Sequence, residues 1–156
     1  MADDPAVPPE PPQEPFVAVG WRLLPEDRLI LARTIYGEAR GEDEKGKRAI
    51  AHVVFNRVTF AYGTGGRDHT VAAACLRWKQ FSCWNWGDPN RAKVLAVSEA
   101  DAVLKACLFA VRMAEAELDF TGGARWYHAA GAAPVWAVGK TPCFVHGQHV
   151  FYDAID

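Results

Sequence analysis

From Pro25 to Leu118 the apolar residues recur at three- and four-residue steps, and after "DFTGGA" they fall into short runs of β-forming residues. A stripe of period 3.6 suits a helix and one of period two suits a strand, so the change of period divides the chain. Helices come first and a small antiparallel element comes near the C-terminus. That order predicts an α+β domain, mainly helical.

The chain has 156 residues, half of them hydrophobic, which is enough for one core. Residues 1–20 hold four acids, no Lys or Arg, and six of the ten prolines. Such a segment buries little, so it is expected to be a disordered acidic arm, with the catalytic fold occupying 21–156. The formal charge of −2 divides into −4 for the arm and +2 for the rest, a near-neutral body that argues against nucleic-acid binding. No apolar run reaches the ~18 residues of a membrane span, and the start of the chain lacks the pattern of a secretion signal. Synthesis in the cytoplasm, without stable membrane association, is therefore expected. Cys75, Cys83, Cys107 and Cys143 match no zinc spacing, which leaves disulfides or buried thiols.

Pro25, Glu26 and Asp27 open a helix that stops at Gly41, with Leu29, Ala32, Ile35, Tyr36 and Ala39 as its core stripe. On a helical wheel Glu38 falls beside Leu31, Thr34 and Ile35, at the border of that stripe. Glu42, Asp43 and Glu44 read as the solvated start of a second helix over 42–58, whose buried face is Ala49, Ile50, Val53, Val54 and Arg57. "AYGTGGRDHT" reads as a glycine-rich loop, "TVAAACLRW" as a short helix and "KQFSCWNWGDPN" as a Trp-rich turn. The longest helical pattern is 93–118, with Val94, Val97, Leu104, Leu108, Val111 and Leu118 on one side. Strands are predicted in "RWYHA" and "HVFYDAI", joined by a connection over 131–147.

A carboxylate at a helix end, flanked by apolar turns and facing a cleft, has its ionised form disfavoured by desolvation, which suits a general acid. From position alone, a surface pair of Glu38 with Arg33, Arg40 or Arg48 explains the residue as simply. "QFSCWNW" mixes rings with amides and hydroxyls, as a carbohydrate cleft requires, although Phe81, Trp84 and Trp86 also suit a core. His128, His146 and His149 lack a zinc-binding motif, and histidines three apart on one strand face opposite ways. No GxSxG elbow, electropositive Cys-His pair or phosphate loop is present.

Taken together, "LARTIYGEARGE", "AIAHVVFNRV", "QFSCWN", "TGGARWYHA…PVWA" and "HGQHVFY" resemble, in order, the SleB-like cell wall hydrolase family of spore cortex-lytic enzymes. The resemblance implies a lysozyme-like fold and cleavage of the MurNAc–GlcNAc β-1,4 bond of peptidoglycan as a lytic transglycosylase. It makes Glu38 the catalytic acid, with Gln80, Phe81, Ser82, Trp84, Asn85, Tyr127, His128, Trp136 and Tyr152 lining the substrate groove or holding it together. Tyr127 is expected near Glu38 or the substrate's acetamido group. No cofactor or metal is implied, and the partner is the glycan strand. Asp68, Asp101 and Asp119 become candidates only if the enzyme hydrolyses with two carboxylates. A monomeric phage-type endolysin, delivered through a holin or in a virion, accords with the absence of a secretion signal. The alternatives are a muramidase using water, a zinc amidase built on His128, His146 and His149, and a non-catalytic wall-binding particle protein.

Overall fold

Helix α1 (Pro25–Ala39) begins where Pro25 supplies a fixed φ and no amide to orphan, and the Asp27 carboxylate accepts the Leu24 amide at 3.0 Å. The computed structural model describes residues 23–154 other than 65, 78 and 79. The expected arm, residues 1–20, lies outside the described residues. The buried face of α1 is Leu31, Ala32, Thr34, Ile35 and Ala39, while Leu29 and Tyr36 are only half-buried. The face is therefore rotated from the expected stripe towards the side that carries Glu38. All three wheel neighbours of Glu38 are fully buried.

Helix α2 (Glu44–Thr64) runs six residues past its predicted end, into the expected glycine-rich loop, where Thr64 Oγ1 bonds the Phe60 carbonyl at 2.8 Å. Helix α3 (Val71–Leu76) is capped by the Thr70 hydroxyl. The predicted long helix over 93–118 is two helices, α4 (Pro89–Ala96) and α5 (Ala102–Glu115). Ser98 Oγ takes the Ala100 amide, and Asp101 Oδ1 takes those of Val103 and Leu104, so local side chains offer the backbone a better option than continuing the helix. From α1, Arg33 donates to the Val94 and Val97 carbonyls at 2.7 and 2.9 Å, satisfying the end of α4. Leu118, expected in the buried stripe, is 67% exposed beyond the end of α5.

Helices α1 and α2 both pack on α5, and α3 and α4 pack against α1. Strands β1 (Trp126–Ala129), β2 (Phe144–His146) and β3 (His149–Tyr152) form an antiparallel sheet in the order β1-β3-β2. Strand β2 lies inside the segment predicted as a connection. It pairs with β3 through the Gly147–Gln148 turn, with Gly147 at φ +53°. Tyr127, Phe151 and Phe144 stand opposite one another across the three strands, and this aromatic row closes on the helical core. His146 and His149 also face each other in register, on one side of the hairpin, in contrast to the opposite-face expectation. Among the described residues no helix is long and apolar enough to cross a membrane.

Replacing Asp101 by Ala removes the α5 cap and is expected to cost about 1 kcal/mol, read as a lower urea midpoint with unchanged slope.

Candidate functional site

Glu38 sits in the last turn of α1, against a 3-10 turn over Ser82–Trp84. The approach depends on Gly37, where an added Cβ would lie 2.7 Å from both Cys83 Sγ and Val94 Cγ2. With that space open, the Cys83 amide donates to Glu38 Oε1 at 3.1 Å, and the Ser82 hydroxyl stands 3.5 Å from the same oxygen. From the sheet, the Tyr127 hydroxyl donates to Oε2 at 3.1 Å. Burial, reinforced by the Glu38 charge, holds the Tyr127 hydroxyl well above its ordinary pKa, so it remains a donor. The turn is tied down by the Trp84 indole, which donates to Thr34 Oγ1 at 2.9 Å.

Two cavities of about 470 and 460 Å³ meet at Glu38 and share Gly37, Asn90, Ala129 and His149. Gln80, Ser82, Tyr127, His128 and Trp136 line the first of them. Phe81, Trp84, Asn85 and Tyr152 line neither cavity. Phe81 is 1% exposed beneath Tyr127, and Trp84 is turned towards Thr34. Tyr152 is buried behind the wall, where its hydroxyl meets His128 Nε2 at 3.1 Å and its ring stacks on His128. It supports the wall residues His128 and Trp136 from behind.

Sequence reasoning missed several groove residues. Arg57 stands at a core position of the α2 stripe, and a cation at an apolar position was the available signal. Glu42 is not part of a solvated helix start: its side chain is 11% exposed, it accepts the Gln148 amide at 2.9 Å, and its Oε1 lies 3.2 Å from His149 Nδ1. Asp43 likewise pairs with His146 at 2.7 Å. Backbone and imidazole donors thereby hold Asp43 below the usual carboxylate range, with the Gly46 amide contributing most. These two acids fasten the β2–β3 hairpin beside Glu38. Nothing local announces this, because their partners lie about a hundred residues away.

Other sequence candidates have different tasks. Asp68 pairs with Arg77 and Asp101 caps α5. Asp119 accepts from Thr121, Asn56 and Gly123; burial alone would raise its pKa, but these donors lower it. The acid that shares a cavity with Glu38 among the described residues is Glu42. The ring nitrogens of His128 are occupied by Ala129 O and Tyr152 Oη, and His146 and His149 face separate acids. No three histidine, cysteine or acidic side chains among the described residues are grouped to hold a metal ion. The four cysteines are free thiols. Burial pushes Cys83 far up, Cys75 to about 12 and Cys107 to about 11, which withholds the thiolate a nucleophile needs.

Gly37→Ala should destabilise the protein by about 1–3 kcal/mol in urea, because the turn must retreat from α1. Burial lowers the His149 pKa below the ordinary 6.5, and the charges of Glu42 and Glu38 offset only part of this. The folded state then takes up this proton less readily than the unfolded chain. Its stabilising effect is complete above pH 6.5 and fades as pH falls through that value towards the lowered pKa. His149→Gln should therefore show a smaller drop in urea midpoint between pH 7.5 and 5 than the parent, in paired titrations.

Comparison with known proteins bears on this arrangement. The profile of the family described as Cell Wall Hydrolase matches residues 41–152, beginning three residues after Glu38. The chain is similar over 83% of its length to the crystal structure of the catalytic domain of the Bacillus cereus SleB protein, 91% of which is covered, with 25% identity and a TM-score of 0.66. No curated protein matches the chain by sequence.

Proposed function

Because the chain belongs to the cell wall hydrolase family, and is thereby an enzyme of peptidoglycan degradation, we propose that it cleaves the MurNAc–GlcNAc β-1,4 bond as a lytic transglycosylase. Glu38 is its acid and base. The observation that carries this reading is the Glu38 carboxyl, held by donors from two sides where two cavities join. A polymer lying through both cavities presents a glycosidic oxygen at that junction.

In the first step protonated Glu38 gives its proton to the glycosidic oxygen, the C1–O bond breaks, and an oxocarbenium-like centre forms on the muramoyl ring. The carboxylate left behind keeps the Cys83 amide and the Tyr127 hydroxyl as donors, both aimed where negative charge has appeared. In the second step Glu38 takes the proton of the muramoyl C6 hydroxyl as that oxygen bonds to C1. The ring closes to the 1,6-anhydro sugar and Glu38 is again protonated. No water enters, and no second carboxylate is required. The half-buried indole of Trp136 and the Gln80 amide offer a stacking face and a polar partner for the sugars along the wall.

Glu42 in the adjoining cavity favours the second reading, a muramidase in which that acid activates water. Its bond to the Gln148 amide and its position beside His149 support a structural task instead. Mass spectrometry of digested sacculi separates the two, since anhydro products are lighter than reducing ends by one water. Anhydro products are expected, and reducing ends would overturn the transglycosylase. Glu38→Gln should lower the rate by about 10²–10⁴-fold with the fold intact by circular dichroism, and retained activity would sink the assignment.

A further inference from the structure

A third cavity, of about 210 Å³, continues the groove beyond Gln80 and shares Arg57, Gln80 and Trp126 with the Glu38 cavity. Four arginines, Arg57, Arg67, Arg77 and Arg125, line it against one acid, Asp68, a formal excess of three positive charges. The excess is poorly compensated. Arg57 is 8% exposed, and its Nε donates to the Arg125 carbonyl at 2.5 Å. Neither terminal nitrogen of Arg57 makes a hydrogen bond to a described residue, and its guanidinium carbon sits 5.7 Å from the Trp126 ring. Burial lowers its pKa to about 10, so the group is still a cation at neutral pH. Asp68 pairs with Arg77 through two contacts of 3.5 Å and its charge also acts on Arg57, so one carboxylate is shared between two of the four arginines. Arg125 gives Nε and Nη2 to the Asp153 carbonyl and lies over the Phe60 ring, which holds its charge at the cavity without neutralising it.

A guanidinium whose fork opens on a cavity is a ready partner for an anion there, and the planar fork matches a carboxylate. In intact strands each lactyl carboxyl is tied up as an amide, so the sugar chain itself gives this cavity nothing to neutralise. The anions of such strands lie on the short peptide carried by the lactyl ether of each muramoyl residue, and the arginine cavity shares Arg57, Gln80 and Trp126 with the cavity that holds Glu38.

We propose that the arginine cavity bounded by Arg57, Arg67, Arg77 and Arg125 receives the free carboxylates of this peptide stem, making the enzyme selective for strands whose stems carry free carboxylates over strands whose stems are amidated. The inference rests on the peptidoglycan-cleaving reading, and its first test does not require cleavage.

The probe is the stem tripeptide L-alanyl-γ-D-glutamyl-meso-diaminopimelate, titrated calorimetrically into Glu38→Gln protein, with the peptide amidated at its carboxylates as control. The acid peptide should bind, and amidation should weaken it at least about tenfold. Arg67→Gln with Arg77→Gln should weaken it by a similar factor. That pair avoids the buried Arg57, and circular dichroism checks its fold. The absence of binding, equal binding of the amidated peptide, or binding indifferent to the arginine substitutions would each overturn the proposal. The second readout uses active enzyme on intact sacculi and on sacculi whose stem carboxylates have been amidated. The parent should prefer the unmodified sacculi by about tenfold or more in kcat/KM, and the double variant should bring that ratio towards one. An equal parent rate on both substrates overturns the stem assignment alone, whereas failure to cleave either overturns the catalytic reading and leaves the calorimetric result to decide this one.

Discussion

The carboxylate of Glu38 is where three distant parts of the chain meet: the end of α1, the turn over Ser82–Trp84, and the middle of β1. A hydrogen bond contributes about 0.5–1.5 kcal/mol to a neutral acceptor and about 1.5–3 kcal/mol to a charged one, so two of them fix the carboxyl and tether its neighbours, more strongly when it is ionised. Each donor has its own precondition. The Cys83 amide arrives because Gly37 has no side chain to hold the turn away, and the Tyr127 hydroxyl arrives because Phe151 and Phe144 press the sheet onto the helices. The acid therefore stands on a rigid helix end with its orientation set from both flanks, as precise proton transfer requires.

A second layer of contacts positions the wall opposite. Glu42 and Asp43, just past the end of α1, reach the β2–β3 hairpin at Gln148, His149 and His146. Lys47 Nζ caps the Glu42 carbonyl from the next helix, and Gly147 leaves room for the Glu42 carboxylate, which any side chain there would strike. One end of a single helix thus carries the acid and, four residues on, the anchor of the hairpin that forms the far cavity. A shift of that hairpin alters the groove without touching Glu38.

The helices were legible because each buries an apolar stripe, and the small C-terminal sheet because β-forming runs follow the last helix. The break between α4 and α5 was hidden: apolar residues keep helical spacing across Ser98 and Asp101, and the interruption comes from caps that compete with the helix locally. Three-residue β2 was too short for alternation to register. At the site, the position of Glu38 at the stripe's edge was readable, but its partners were not, because the Cys83 amide belongs to backbone and Tyr127 stands 89 residues away. Phe81 and Tyr152 look the same in sequence as Trp136, and only the packing decides that two lie behind the wall and one lies on it. Acids at a helix start suggest solvation, and the hairpin that buries Glu42 is invisible from its own neighbourhood.

On the proposed mechanism one acid serves twice, and it then needs surroundings that do not trade protons with it. Burial and the nearby carboxylate keep the Tyr127 hydroxyl and the Cys83 thiol protonated far beyond neutral pH, and an amide does not titrate at all. The imidazole packed edge-on against Tyr127, that of His149, is held below its ordinary pKa by its own burial. The groups pressed closest to Glu38 therefore keep fixed charge near neutral pH, as the proposed proton cycle of the carboxyl requires. What they supply is direction: donors on both oxygens that hold the carboxyl in place and stabilise it when it is ionised. The same burial that withholds a nucleophile from Cys83 gives the acid a constant environment, so the apolar packing around the last turn of α1 is part of the chemistry.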